Sequence, residues 1–117
     1  MLIDLSKIPA YYRKKCFGSI EQDEYCFHKE TAVHSDYAHK PNITTFDELI
    51  AFLKANLKPI KSYSYITLEC IRIDIDKRLG YVLKPVLAAA LIEAGFKIHE
   101  HTGEVNCSTK SKLFKDA

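Results

Sequence analysis

Two short pairs of potential metal ligands are the residues whose types and spacing most suggest chemistry. Cys26 and His28 lie two residues apart, and so do His99 and His101. Side chains two apart on a β-strand project from the same face, so two such pairs on adjacent strands would supply the ligands of a tetrahedral zinc site. Neither pair has the spacing of a zinc finger or a zinc ribbon. We therefore interpret them as half-exposed strand histidines and a core cysteine, with zinc binding as the alternative.

Asp74 and Asp76 suggest a second type of site. If the chain is extended here, both carboxylates share one strand face with Arg72. Paired carboxylates near the end of a strand can hold Mg²⁺, which would make the protein a metal-dependent phosphodiester hydrolase. An ordinary solvent-exposed strand face looks the same, because an arginine can offset both acids. We favour that plainer interpretation.

A set of tyrosines and basic residues points to binding rather than catalysis. Tyrosines flanked by Lys and Arg suit both protein interfaces and the stacking of unpaired bases. One group lies in a predicted first helix, and the other lies at the start of a predicted strand, on the face away from Ile66 and Leu68. The candidate partner-binding residues are Tyr11, Tyr12, Arg13, Lys14, Lys15, Tyr63 and Tyr65.

The segment 62–76 alternates between polar and apolar residues and predicts the long strand that would position several of these side chains. Its apolar residues are Ile66, Leu68 and Cys70 on even numbers, followed by Ile71, Ile73 and Ile75 on odd numbers. Because successive side chains of a strand point to opposite faces, the change of phase predicts a β-bulge near Cys70.

Three helices are predicted. Residues 7–16 indicate a short first helix, and a capping box that starts at Thr45 predicts a second helix that ends before Pro59. The apolar run from Lys84 to Ala94, followed by Gly95, predicts a third helix that is buried on almost every side.

Weaker alternation predicts a hairpin or two short edge strands over residues 24–37, and a hairpin over 96–109 with its turn at Thr102-Gly103. The order strand, helix, strand over residues 62–101 suggests a βαβ crossover. We therefore predict an α+β fold: one mixed sheet of about four or five strands, with two or three helices packed mainly on one face.

The composition bounds the class of protein. At 117 residues and 47% hydrophobic content, the chain fits a single globular domain, which we place at residues 1–110 with a flexible basic tail at 111–117. Lys and Arg number 17 against 15 Asp and Glu, so the chain lacks the basic excess of a protein held mainly by nucleic-acid phosphates. No uncharged run approaches the roughly 20 residues needed to cross a bilayer. The four cysteines show no close pairing, which favours reduced thiols and a cytoplasmic location over secretion with two disulfides.

These observations favour a small non-enzymatic cytosolic protein that binds a macromolecular partner, in the first place a protein, as inhibitors and immunity proteins do. A nucleic-acid-binding protein that uses the basic first helix and the tail is one alternative, and a metal-dependent phosphodiester hydrolase is the other. We expect no cofactor and no association with a membrane.

Overall fold

The computed structural model describes residues 2–9, 29–30, 32–33 and 45–115 of the chain. These residues contain three α-helices, α1 (Phe46–Asn56), α2 (Leu68–Arg78) and α3 (Lys84–Glu93), and a short 3-10 helix (Lys112–Phe114). None of the described residues lies in a β-strand. The predicted α+β fold with a sheet of four or five strands is therefore wrong.

Helix α1 forms where the sequence predicts it, because both halves of its capping box are made. Thr45 Oγ1 accepts the N–H of Glu48 at 3.2 Å, and the Glu48 carboxylate accepts the N–H of Thr45 at 3.0 Å. These bonds satisfy N–H groups that the start of a helix leaves unpaired. The buried face of the helix consists of Phe46, Leu49 and Leu53.

Helix α2 occupies most of the segment predicted as a long strand, and that prediction is wrong. Its buried residues are Leu68, Ile71 and Ile75, followed by Leu79 at the C-cap. Steps of three and four residues place these side chains on one face of a helix, whereas Ile73 lies on another face and is 50% exposed. The apparent change of phase is therefore a helical repeat rather than a bulge.

The ends of α2 also differ from the prediction. The helix begins after Thr67, whose Oγ1 accepts the N–H of Cys70 at 3.4 Å, and it ends at Arg78, beyond the end of the segment predicted as a strand. An ion pair of 2.8 Å between Glu69 and the Lys84 ammonium joins the first turns of α2 and α3.

Helix α3 confirms the prediction of a buried helix with a proline in its first turn. Every side chain from Pro85 to Leu91 is buried, and Gly95 follows the helix end with a φ of +98°, a conformation that glycine adopts without strain. The helix packs against both α1 and α2. The expected sheet is thus replaced by two helices as the packing partners of α3.

Three irregular segments, 57–67, 96–99 and 103–108, are joined by isolated antiparallel bridges. The bridges pair Pro59 with Cys107, Thr67 with Glu104, and Ile98 with Val105. Segment 103–108 therefore pairs with both of the others, but none of the three forms a strand. The βαβ crossover and the strands of the second hairpin are accordingly wrong.

Asn106 holds these segments together through its side chain, which is almost fully buried. Its Oδ1 accepts the N–H of Lys97 at 2.6 Å, and its Nδ2 donates to the carbonyl of Ile60 at 3.0 Å. A side-chain amide thus satisfies backbone groups that a regular strand ladder would pair with each other.

Part of the segment predicted as a tail packs against the helices. Arg78 Nη2 donates to the carbonyl of Leu113 at 2.9 Å, and the Leu113 side chain is fully buried. The first predicted helix, over residues 7–16, and the hairpin over residues 24–37 lie almost wholly outside the described residues.

Candidate functional site

The loop that precedes α2 carries two of the predicted partner-binding residues. Tyr65 is 92% exposed and Tyr63 is 42% exposed. Between them, Ser64 Oγ donates to the carbonyl of Val105 at 3.2 Å and accepts the N–H of Ile66 at 3.2 Å. The two tyrosines are therefore presented by a loop whose backbone is tied down at its middle.

Of the other predicted site residues, His99 and His101 lie beside this loop, and seven lie outside the described residues. Those that lie outside the described residues are Tyr11, Tyr12, Arg13, Lys14, Lys15, Cys26 and His28. The candidate surface therefore consists of Tyr63, Tyr65 and the residues around them.

His99 organises the loop that lies beside Tyr63. Its Nδ1 accepts the N–H of His101 at 3.1 Å and the N–H of Thr102 at 3.3 Å. The loop is closed further by the N–H of Gly103, which donates to the His99 carbonyl at 3.0 Å, so the turn is wider than the predicted two residues. Gly103 has a φ of +76°, which explains the choice of glycine at this position.

Aromatic contacts connect the loop around His99 to the segment 57–67 that precedes α2, which we call the tyrosine loop. The rings of Tyr63 and His99 lie edge to face, with centroids 5.2 Å apart and planes at 77°. The ring of His101 lies edge to face with His99 at 5.9 Å. Such contacts are favourable for aromatic pairs and restrict the orientation of the Tyr63 side chain.

The hydrogen bonds of His99 do not fit the predicted zinc alternative. Because Nδ1 accepts two N–H groups, we assign the proton of the neutral ring to Nε2. Neither nitrogen then offers a free lone pair to a metal ion. Among the described residues, no group of three or more His, Cys, Asp and Glu side chains is placed to hold a metal.

The structure lacks the shared strand face on which the alternative of a magnesium site at Asp74 and Asp76 depends. Asp74 and Asp76 lie on α2 rather than on a strand. Residues two apart on a helix point about 200° apart around its axis, so these carboxylates cannot share a face, and neither can Arg72 and Asp74.

An open groove of about 510 Å³ adjoins Tyr63. Its apolar lining includes Ile92, Phe96 and Ile98, and its polar lining includes Lys7, Tyr63, Lys97 and Glu100. The groove therefore combines an apolar wall with two ammonium groups, one carboxylate and one phenol.

Asp4 is an exposed acid that forms a hydrogen bond with Ser6, one of the residues that line the groove. The Asp4 carboxylate accepts the N–H of Ser6 at 2.9 Å. Hydrogen bonds from Ser6 lower the pKa of Asp4, and the charge of Lys7 adds a smaller effect in the same direction. Lys7, which lines the groove, therefore interacts with the charge of Asp4.

Sequence reasoning missed the roles of His99, Lys97 and Asn106. The only local signal for this region was the Thr102-Gly103 turn, which correctly marks where the chain reverses. The contacts to Tyr63 and Ile60 join segments far apart in the chain. No local pattern encodes such contacts.

Comparison with protein-family models, curated proteins and solved structures finds no match to this chain. Within the described ranges, none of the helices has the length and apolar content needed to cross a bilayer.

Proposed function

We propose that this protein is a non-enzymatic binding module that acts by covering a surface of a partner protein, as inhibitors and immunity proteins do, with Tyr63 and Tyr65 as its anchors. The observation that carries the proposal is the 92% exposure of Tyr65 on a loop fixed by its hydrogen bonds to Val105 and Ile66.

The energetic argument starts from the size of the tyrosine side chain. A tyrosine that becomes buried at an interface removes about 150–250 Å² from water, while its hydroxyl can still find a partner. Tyrosine is also enriched among the residues that contribute most to protein–protein binding. A phenol ring that stays in water forgoes this burial, so Tyr65 gains free energy when a partner covers it.

The fixed backbone of the loop adds to this argument. A binding loop that is already ordered loses less conformational entropy when a partner docks. The Tyr63 side chain is partly ordered as well, because it contacts the His99 ring. The loop therefore presents its two anchors on an ordered backbone, and the Tyr65 side chain is the part that a partner still has to order.

Charge around the loop favours a protein partner over nucleic acid. Lys58 and Lys61 lie in the tyrosine loop, but Glu100 and Glu104 lie in the adjacent loop. A mixed surface of this kind does not attract phosphates in the way that a basic stripe does. A cytosolic location belongs to the proposal, since Cys70 and Cys107 are free thiols in the structure.

Affinity capture from a native lysate with single-residue variants tests the proposal. We expect the wild-type chain to retain a stoichiometric protein partner, and Tyr65→Ser to reduce its recovery about tenfold or more, as truncation of an interface anchor does.

Tyr81→Ser is the matched control, because Tyr81 is a 38% exposed tyrosine that follows the opposite end of α2. It should retain the partner, and Tyr65→Ser should melt close to the wild type. Equal recovery with Tyr65→Ser would contradict the proposal. Recovery of nucleic acid instead, with binding that falls steeply as salt is raised, would assign the surface to the nucleic-acid alternative.

A further inference from the structure

We infer that the groove beside Tyr63 receives an acidic peptide segment of the protein partner, in which a carboxylate lies next to an apolar side chain. This inference rests on the proposed function and adds the chemistry of the partner to it. The feature that carries it is the combination, in one groove, of an apolar wall with two lysines that make no ion pair with any described residue.

The ammonium groups come from opposite ends of the described chain. Lys7 and Lys97 both line the groove, and neither makes an ion pair with any described residue. By contrast, Lys84 is paired with Glu69 at 2.8 Å on another part of the surface. The two groove lysines therefore make no ion pair with a described carboxylate, although the charge of Lys7 also acts on Asp4.

The neighbouring aromatic residues supply further donors. Tyr63, which lines the groove, carries a phenol hydroxyl, and the His99 ring that contacts Tyr63 carries its proton on Nε2 but does not line the groove itself. A ligand group that accepts hydrogen bonds and carries negative charge matches this set. Bonds between an ammonium group and a carboxylate are roughly twice as strong as those between neutral groups.

The apolar wall determines what must accompany the carboxylate. Ile92, Phe96 and Ile98 line the groove, and of these Phe96 and Ile98 are buried in the core while Ile92 is partly exposed. An aliphatic or aromatic side chain laid against this wall removes its remaining apolar surface, chiefly that of Ile92, from water. Glu100 on the same groove disfavours a second carboxylate close to it. The fitting segment thus alternates acidic and apolar residues rather than being uniformly acidic.

A peptide titration of the ¹⁵N-labelled full-length chain tests the inference. The probe is an acetylated, amidated peptide that alternates Glu and Leu, and the comparison peptides replace Glu with Gln or with Lys. We expect the Glu peptide to shift the amide resonances of Phe96, Ile98 and Lys97. The Gln and Lys peptides should bind about tenfold more weakly or not at all, as the loss of a charge-assisted hydrogen bond implies.

Charge-reversal variants locate the binding. Lys97→Glu should weaken the Glu peptide by about tenfold or more, whereas Lys54→Glu, at an exposed position on α1, should leave its affinity unchanged. Equal binding of the Glu and Gln peptides, or equal effects of the two variants, would overturn the inference.

Tyr65→Ser separates this inference from the proposed function, because Tyr65 does not line the groove. The variant should bind the Glu peptide as the wild type does while failing to capture the partner. If the peptide does not bind but Tyr65→Ser still loses the partner, the groove inference fails and the proposed function stands. If the peptide binds and Tyr65→Ser keeps the partner, the tyrosine anchors fail instead.

Discussion

Burial at a single residue, Cys107, contributes to how the stability of the protein responds to alkaline pH. The Cys107 side chain is fully buried and its backbone pairs with Pro59. Burial raises the pKa of the Cys107 thiol from 9.0 to about 11, and this effect outweighs the opposing hydrogen bond from the backbone. The pKa of the thiol is raised because a thiolate is poorly solvated in an apolar environment.

The folded chain therefore keeps the proton of Cys107 at a pH where the unfolded chain has lost it. The contribution of Cys107 to the free energy of unfolding is present in full below pH 9 and is lost as the pH rises through 11. The loss over that window is about 2–3 kcal/mol, at about 1.4 kcal/mol for each pH unit. Urea unfolding between pH 8 and 11 measures it, with Cys107→Ala as the reference that lacks the thiol.

The difference in unfolding free energy between wild type and Cys107→Ala isolates this contribution, because every other titrating group is common to both chains. The wild type should lose its advantage progressively above pH 9. Parallel stability curves for the two chains would show that the buried thiol is not linked to folding.

Residue-level roles were the hardest to predict from the sequence. His99 stands out as a possible metal ligand because of its spacing from His101, yet in the structure its Nδ1 accepts backbone N–H groups of its own loop. Hydrogen bonds of this kind depend on the conformation of the loop, which is not encoded in the spacing of the histidines. The exposure of Tyr65 likewise follows from the loop and not from a strand face.

At the level of elements, success depended on whether the signal was local. The capping box at Thr45 and the pair of Pro85 and Gly95 act within a few residues of a helix end, and they located α1 and α3 correctly. Helix α2 was predicted as a strand because β-branched isoleucines two residues apart satisfy a strand pattern. The steps of three and four from Leu68 to Ile75 were equally present, and packing against α3 decides between the two.

The three isoleucines of α2 provide a direct test of its conformation. On a helix, Ile71 and Ile75 are fully buried, whereas Ile73 is half exposed. We expect Ile71→Ala and Ile75→Ala to lower the free energy of unfolding by about 2–5 kcal/mol each, because each leaves a cavity. Ile73→Ala should change it by less than about 0.5 kcal/mol, since alanine also favours a helix.

Urea denaturation of the three variants gives these values on one scale. On a strand all three side chains would share one face and the three substitutions would have similar effects. Comparable losses at Ile71, Ile73 and Ile75 would therefore count against the helix.

At the level of the whole molecule, contacts between distant segments replace the predicted sheet. Asn106 joins Lys97 and Ile60, and isolated bridges pair segment 103–108 with segment 57–67. These regions contain residues that favour β-strands. The side chains of Ser64 and Asn106, however, form hydrogen bonds with backbone groups that would otherwise pair in a strand ladder. Because these partners lie about 40 residues apart in the chain, their pairing is decided by the closing of loops around the helices.

The same dependence on distant contacts extends to the last described residues. Leu113 is fully buried and its carbonyl accepts a bond from Arg78 on α2, whereas Lys112 is exposed. We expect Leu113→Ala to lower the free energy of unfolding by about 3 kcal/mol, and Lys112→Ala to change it by less than about 0.5 kcal/mol. Equilibrium unfolding in urea, followed by far-ultraviolet circular dichroism, measures both. Because a flexible tail that starts at residue 111 would make the two substitutions equally mild, the comparison decides whether the domain ends at residue 110 or includes the turn that carries Leu113.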